Sequence, residues 1–412
     1  MTLSREFHKD NFTEKERRNI DILEVLKKFG PLSRPDISKE IGINVVTVSS
    51  YIDEFIKKNI VFERELDRSE GGRRPTLVDL NPEGGYAIGV GLNLMNMVGL
   101  LIDLKGNIIT KTQIARPKAS VNEIAECLLE IIREVLRRSK DYTANIKGIG
   151  LGVAGLVNKR DGSVHWPQKM DHYYTYASVE LSFRELIERE FNLTTLIEND
   201  ATSACFGEYW LGQDNQVKNL LYMFSGVGCG IIMDGKLYRG AQGYAGEVAV
   251  YNYKEQDLFK CDIGNDCLLK RWEMDLGIIE DIKLELSKSK DEAATFFKIT
   301  SANIDNVDLK SVFIANRMGH NIVTSCLDRA AKRLGIKIAS LVNLLNPEMV
   351  VIGGGLEDAG DDFLNRVIST VKDWAFRECT EDLKIMYSRL RENAVALGAG
   401  SLVMQRIFAK LD

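Results

Sequence analysis

Four short stretches of the sequence carry residue types able to hold or react with a small polar ligand. Glu198-Asn199-Asp200-Ala201 stands where the apolar run Thr195–Ile197 gives way to a helical stretch. A carboxylate there can take a proton from a hydroxyl as general base, with Asn199 holding a neighbouring hydroxyl; the same residues serve equally as a helix N-cap. Ser225-Gly226-Val227-Gly228-Cys229-Gly230 lets main-chain N–H groups approach phosphate oxygens, or simply lets a strand turn tightly. Val350-Val351-Ile352-Gly353-Gly354-Gly355 runs an apolar strand into three glycines, as close approach of a base or ribose requires, and reads otherwise as a loop. Gly240-Ala241-Gln242-Gly243-Tyr244-Ala245-Gly246-Glu247 sets a carboxylate after a flexible loop, suited to bidentate binding of sugar hydroxyls.

The elements that must position these residues alternate between strand and helix. Apolar runs at Ala87–Val90, Val98–Ile102, Ile146–Val153, Leu220–Phe224, Gly230–Met233 and Met349–Ile352 are separated by helical stretches at 121–138, 179–190, 200–211, 316–345 and 361–376, which predicts an α/β body. Two strand-turn-strand units, Ile88 to Ile102 and Leu221 to Ile232, suggest two related lobes with a cleft between them.

The first eighty residues follow another pattern. Glu14 to Phe29 places Ile20, Leu23, Val25, Leu26 and Phe29 at amphipathic-helix spacing and ends at Gly30-Pro31. Ser33 can cap a second helix that has Pro35 in its first turn, Ile37 and Ile41 inward and Gly42 at its close. Asn44 can cap a third, whose inward stripe is Val48, Ile52, Phe55 and Ile56. A short helix, a turn and a helix with small polar residues outward is the helix-turn-helix arrangement, with Asn44, Thr47, Ser50 and Tyr51 as candidate DNA contacts; a three-helix interaction module shares the periodicity. Ile60 to Leu66 and Thr76 to Leu80 then read as two strands around Ser69-Glu70-Gly71-Gly72, a wing on which Arg73 and Arg74 can reach phosphates or a minor groove.

The bulk numbers set bounds on these readings. With 412 residues, 45% apolar and 27% charged, the chain holds two or three packed domains. Net charge is −5, and residues 1–80 carry 15 Lys and Arg against 15 Asp and Glu, so DNA contact must rest on local geometry. Ala87 to Ile102, interrupted by Asn93 and Asn96, falls short of a membrane span, and no apolar leader opens the sequence, so a cytoplasmic location is expected. Seven scattered cysteines read as free thiols.

Taken in order, Glu198 to Ala201, Ser225 to Ile231, Asp234-Gly235-Lys236-Leu237-Tyr238-Arg239-Gly240-Ala241 and Ala245-Gly246-Glu247 resemble the ROK family of repressors and sugar kinases. The resemblance extends to Gly148–Gly155 and to Asn346-Pro347-Glu348 through Gly355, while Gly72-Arg73-Arg74-Pro75 is similar to the family's repressor branch. It implies a winged helix-turn-helix followed by a two-lobed, actin-like (ribonuclease H-like) body of the sugar-kinase type, acting as a homodimer or homotetramer on operator DNA. By that resemblance Asn199, Asp200 and Glu247 match sugar-hydroxyl ligands, Asp200 matches the base of the kinases, and Ser225, Gly226, Gly228, Gly354 and Gly355 match the nucleotide side.

Departures from the family pattern are equally informative. Where the kinases open with an Asp-x-Gly-Gly-Thr phosphate loop, this sequence has Gly91-Leu92-Asn93-Leu94-Met95, which offers neither the oxygen ligands nor the close backbone approach that Mg²⁺-phosphate needs. The histidine expected three positions after Gly-Glu is Val250, the glutamate expected after the last cysteine falls at Leu269, and the family's zinc loop is reduced to Cys261 and Cys267, too few for a structural zinc. The expectation is therefore a sugar-responsive repressor of carbohydrate-utilisation genes with no phosphoryl transfer, no metal and no cofactor. Its domains are 1–80, a first lobe at 81–197 completed by 391–412, and a second lobe at 198–390. An active sugar kinase with an appended DNA-binding domain and an effector-independent DNA-binding protein are the alternatives.

Overall fold

The computed structural model describes residues 12–64, 76–92, 96–115, 121–170, 175–212, 217–225, 228–248 and 276–411. At the N-terminus a capping box starts helix α1 (Glu14–Phe29): Thr13 Oγ1 accepts from the Glu16 N–H at 3.2 Å while the Thr13 N–H donates to Glu16 Oε2 at 2.6 Å. Ile20, Ile22, Leu23 and Leu26 are buried, but Phe29, expected inward, is exposed. It is the last residue of the helix, and its ring lies under the Lys28 ammonium instead, 5.5 Å from the centroid. Strand β1 (Leu32–Ser33) leads through the Ser33 cap to helix α2 (Arg34–Ile41), which Gly42 closes at φ +67. Asn44 caps helix α3 (Val45–Lys57) by accepting the Val46 N–H at 2.8 Å. Strands β2 (Val61–Arg64) and β3 (Leu77–Leu80) pair antiparallel and β1 joins β3, completing a winged helix whose turn lies outside the described residues, as do Arg73 and Arg74.

The body is built on two five-stranded sheets with one topology. In the first, β4 (Tyr86–Leu92), β5 (Asn96–Asp103) and β6 (Ile108–Ala115) form an antiparallel meander; after helix α4 (Val121–Arg138), β7 (Ile146–Val153) runs parallel to β4. A separate three-stranded sheet, β8 (Leu156–Val157), β9 (Ser163–Met170) and β10 (Thr175–Ser182), and helix α5 (Phe183–Phe191) precede β11 (Thr195–Asn199), which is parallel to β7. Helix α6 (Asp200–Leu211) crosses to the second sheet, where β12 (Leu220–Phe224), β13 (Gly228–Met233) and β14 (Lys236–Leu237) form the second meander. After helices α7 (Ile278–Ser287), α8 (Lys290–Thr300), α9 (Leu309–Arg317) and α10 (Asn321–Leu345), β15 (Met349–Gly353) runs parallel to β12. Helix α11 (Asp361–Trp374), the short α12 (Arg377–Thr380) and β16 (Lys384–Tyr387), parallel to β15, follow; helix α13 (Ala394–Ala409) ends the chain.

Two expected helices differ. The stretch 179–190 opens as strand, because Val179-Glu180-Leu181-Ser182 continues the β10 ladder against β9 and the helix starts only at Phe183. The stretch 316–345 is two helices, broken at Gly319, whose φ of +76 no helix accommodates.

Helix α13 lies so close to the first sheet that side chains would collide. A Cβ on Gly89 would sit 2.0 Å from the Ala396 carbonyl oxygen and one on Gly150 2.1 Å from that of Ala399. The glycines along β4 and β7 thus make room for a helix. On its other side α13 meets α1, and one continuous apolar core joins Ile22, Leu23 and Leu26 of the winged helix to Phe206 and Trp210 of α6 and Phe408 of α13.

Candidate functional site

Asn199 ends β11 in the first sheet and caps α6, which packs on the second sheet. Its Oδ1 accepts the Thr202 N–H at 3.1 Å and its Nδ2 donates to the Gly155 carbonyl at 3.3 Å. The cap reading of this residue is therefore realised, and the cap is what fixes the position of Asp200, the buried first residue of α6. Glu247 arrives from the other sheet. It forms a bridge to Gly228, secured by the Cys229 N–H donating to the Gly246 carbonyl at 2.7 Å. Gly246 has φ +97, and a Cβ there would lie 1.8 Å from the Cys229 oxygen, so glycine is obligatory. Glu247 as a whole is exposed, but desolvation of its carboxyl and then the Asp200 carboxylate push that group up to about 7. Asn199, Asp200 and Glu247 are thus brought together at the junction of the sheets. Val250, Cys261, Cys267 and Leu269 lie outside the described residues.

Sequence reasoning did not single out the ion cluster beneath this turn. Glu198, 3% exposed, is held between Lys159 and Arg239, the latter with Nε at 2.9 Å, and its Oε1 accepts the Asn199 N–H at 3.0 Å. Desolvation raises its pKa, but the two cations outweigh that and hold the carboxyl down at about 2. The group ties the Asn199-Asp200 turn to the residue that opens the Gly240–Glu247 loop. The signal was present in Arg239, immediately before Gly240, and in the acid beside Asn199.

On the nucleotide side, two of the candidate groups are engaged within the fold. Ser225, at φ 52, donates its hydroxyl to the Gly354 carbonyl at 2.6 Å, and the Gly355 N–H donates to Glu357 Oε2 at 2.8 Å. Gly228 sits 2.9 Å, at the position of a Cβ, from the Ala201 methyl, so its smallness serves the seating of α6. Among the described residues, the pocket here, about 50 Å³, is lined by Glu357, Asp358 and Glu392 together with the cation Arg391. Gly91 packs on the first turn of α13, where a Cβ would lie 2.7 Å from the Ala396 nitrogen, and Leu92 is buried. Gly226 and Asn93–Met95 are outside the described residues.

On α3, Ser50 is exposed, Thr47 is half-buried, and Tyr51 is half-buried with its ring 6.1 Å from that of Phe55. The Asn44 side chain is occupied as the cap. The structure adds Val46, 73% exposed at the helix start, a position the stripe of Val48, Ile52 and Phe55 leaves outward. An aliphatic group there suits contact with a thymine methyl. Arg34 braces the helix, donating to Asp53 at 2.7 Å and to Glu63 of β2 at 2.9 Å.

A direct mechanical link joins the two regions. At the far end of α6 from Asp200, the Trp210 carbonyl accepts from Lys27 of α1, whose ammonium also lies 5.1 Å from the Trp210 ring centroid. Beside it, buried Asn19 donates to the Ala409 carbonyl at 3.0 Å and Gln405 donates to Glu24 at 3.1 Å.

Comparison with known proteins agrees with this architecture. The xylose repressor of Caldicellulosiruptor bescii is 31% identical over 377 residues, which span 90% of this chain and 92% of the relative. A crystal structure of a ROK family transcriptional regulator, a homologue of the E. coli MLC protein, superposes with a TM-score of 0.71 at 22% identity over 96% of this chain and 97% of its own. A ROK family glucokinase from Streptomyces griseus, solved with glucose and AMPPNP, gives a TM-score of 0.64 at 22% identity and is matched over 99% of its length, yet it covers 77% of this chain. The fold is the actin-like one of the family's repressors and sugar kinases. Residues 86–406 match the ROK family, and the chain belongs to it.

Proposed function

We propose that the chain is a sugar-responsive repressor of carbohydrate-utilisation genes that binds operator DNA and transfers no phosphate. One observation carries the reading: the glucokinase is matched over nearly its whole length yet leaves 23% of this chain uncovered, whereas the regulator covers 96%. The body is shared with kinases, and the winged helix with regulators. The Caldicellulosiruptor relative, matched over most of both chains, is named a xylose repressor.

Within this reading Asn199, Asp200 and Glu247 bind sugar hydroxyls, while Asn44, Thr47, Val46, Ser50 and Tyr51 face the DNA major groove, flanked by Arg73 and Arg74 on the wing. A carbohydrate is the effector, and the working form is a cytoplasmic homodimer or homotetramer, since paired half-sites require paired readers. Phosphoryl transfer rests on positioning and charge neutralisation; a Gly355 amide already bound to Glu357 opposes the first, and Asp358 and Glu392 beside Arg391 on the pocket wall oppose the second. The test is selection of bound duplexes from a random pool, followed by a screen of monosaccharides for release of the selected duplex and for ADP formation. Release without ADP supports the proposal; sugar-dependent ADP formation would establish the kinase alternative.

A further inference from the structure

We infer that the cavity walled by Lys27, Lys28, Lys105 and Trp210, where helix α1 of the winged helix meets the body, is a second ligand site that takes a small organic phosphate. The cavity has a volume of about 230 Å³. Cavities of about 150 Å³ admit benzene, so a six-membered ring bearing a phosphate fits. Its walls come from both domains: Glu24, Lys27 and Lys28 from α1, Lys105 from the β5–β6 turn, and Tyr209 and Trp210 from the end of α6.

The chemistry of those walls is one-sided. Among the described residues the lining carries the ammonium groups of Lys27, Lys28 and Lys105 and one carboxylate, Glu24; burial lowers Lys27 to about 8 and pushes Glu24, which accepts from Gln405, up to about 7, so near neutrality Glu24 carries only part of its charge while Lys27 keeps most of its own. Lys105 is paired with Asp79 at 2.8 Å, and Lys27 is held by a carbonyl and the Trp210 ring, so these two cations are fixed in place before any ligand arrives. Fixed ammonium groups suit a phosphate; the indole and phenol faces suit the apolar side of a ring. Asp200 and Trp210 stand at opposite ends of α6, about 15 Å apart, so this cavity is separate from the Asn199-Asp200-Glu247 cluster. A ligand spanning Lys28 and Lys105 would fasten the winged helix to the body.

Calorimetric titration of the full chain with glucose 6-phosphate, glucose and inorganic phosphate tests this. Binding of the ester is expected to persist in Asp200→Asn within about twofold, to survive Lys28→Arg, and to weaken at least about tenfold in Lys28→Glu, as loss of one charge-assisted contact implies. Lys28 is half-buried on the helix surface, and a matching far-ultraviolet spectrum checks that the variants fold. Absence of ester binding, an unchanged affinity in Lys28→Glu, loss of binding in Asp200→Asn, or equal affinity for inorganic phosphate would each overturn the proposal. No DNA enters this titration, so its outcome is independent of the repressor reading.

Discussion

Lys27 of α1, in the winged helix, donates its ammonium to the main-chain carbonyl of Trp210, in the last turn of the helix whose first residue is Asp200. A twelve-residue helix is about 18 Å long and stiff, so a ligand that moves the Asp200 end displaces the Trp210 end against α1. Burial lowers the Lys27 pKa to about 8, and desolvation is the leading cause. Lys27→Met keeps the length of the side chain and removes the desolvated charge, so stability should fall little. The expected outcome is a sugar affinity within about twofold of wild type with much of the sugar's effect on operator binding lost, out of a typical coupling of about 1–3 kcal/mol. Fluorescence anisotropy with and without sugar measures it, and full retention of the effect would remove Lys27 from the route.

Val46→Asp tests the DNA face. Val46 is 73% exposed, so the change should leave thermal stability within about 0.5 kcal/mol. A carboxylate facing phosphates, in place of an aliphatic contact, should cost operator binding about 1–3 kcal/mol or more. Undiminished binding would place α3 away from the groove.

Glu198→Gln leaves Lys159 and Arg239 facing each other across a buried amide. Breaking a buried ion cluster by removing one partner typically costs about 3–5 kcal/mol, read here as a lower denaturation midpoint. Because the folded pKa lies below that of the unfolded chain, the stabilisation is present above about 4.5 and is lost as pH falls toward 2. Wild type should therefore lose stability more steeply across that acid window than Glu198→Gln.

For Glu247 the shift runs the other way. With its carboxyl raised to about 7, it is largely protonated at pH 6 and ionised at pH 8. A sugar hydroxyl donates more strongly to the ionised form, so sugar affinity should rise with pH through neutrality. In Glu247→Gln that rise should flatten at a lower affinity. A titration between pH 6 and 8 that shows the same slope in both proteins would take Glu247 out of the binding set.

Periodicity carried the reading furthest where one residue pattern had one structural outcome. The bounds of α1, α4, α6, β7 and β12 agree with the expected stretches residue for residue, and α1 and α6 each run from a side-chain cap to a glycine. The duplicated strand-turn-strand units proved to be two meanders, each extended by two parallel strands. Glycine was the ambiguous letter. Gly89 and Gly150 mark the seat of α13, Gly228 that of α6, and Gly246 a strained bridge, distinctions that depend on partners far away in sequence. The same holds for Glu198, whose neighbours Lys159 and Arg239 come from segments about forty residues away on either side. The junction of α1 with α6 and α13 was not legible, since Asn19, Lys27 and Trp210 occupy polar or aromatic positions that read as surface or core of their own helices.

The central claim is that sugar bound at Asn199, Asp200 and Glu247 changes operator affinity without chemistry. The measurement is operator affinity of the full chain by fluorescence anisotropy as a function of sugar, with ADP followed in the same samples containing ATP, for wild type and for Asp200→Asn. The account predicts a change of roughly 5- to 150-fold in wild type, no ADP, and for Asp200→Asn an unchanged sugar-free affinity with little or no response. Loss of sugar-free DNA binding in Asp200→Asn at unchanged stability, or ADP accumulating with the bound sugar, would contradict it.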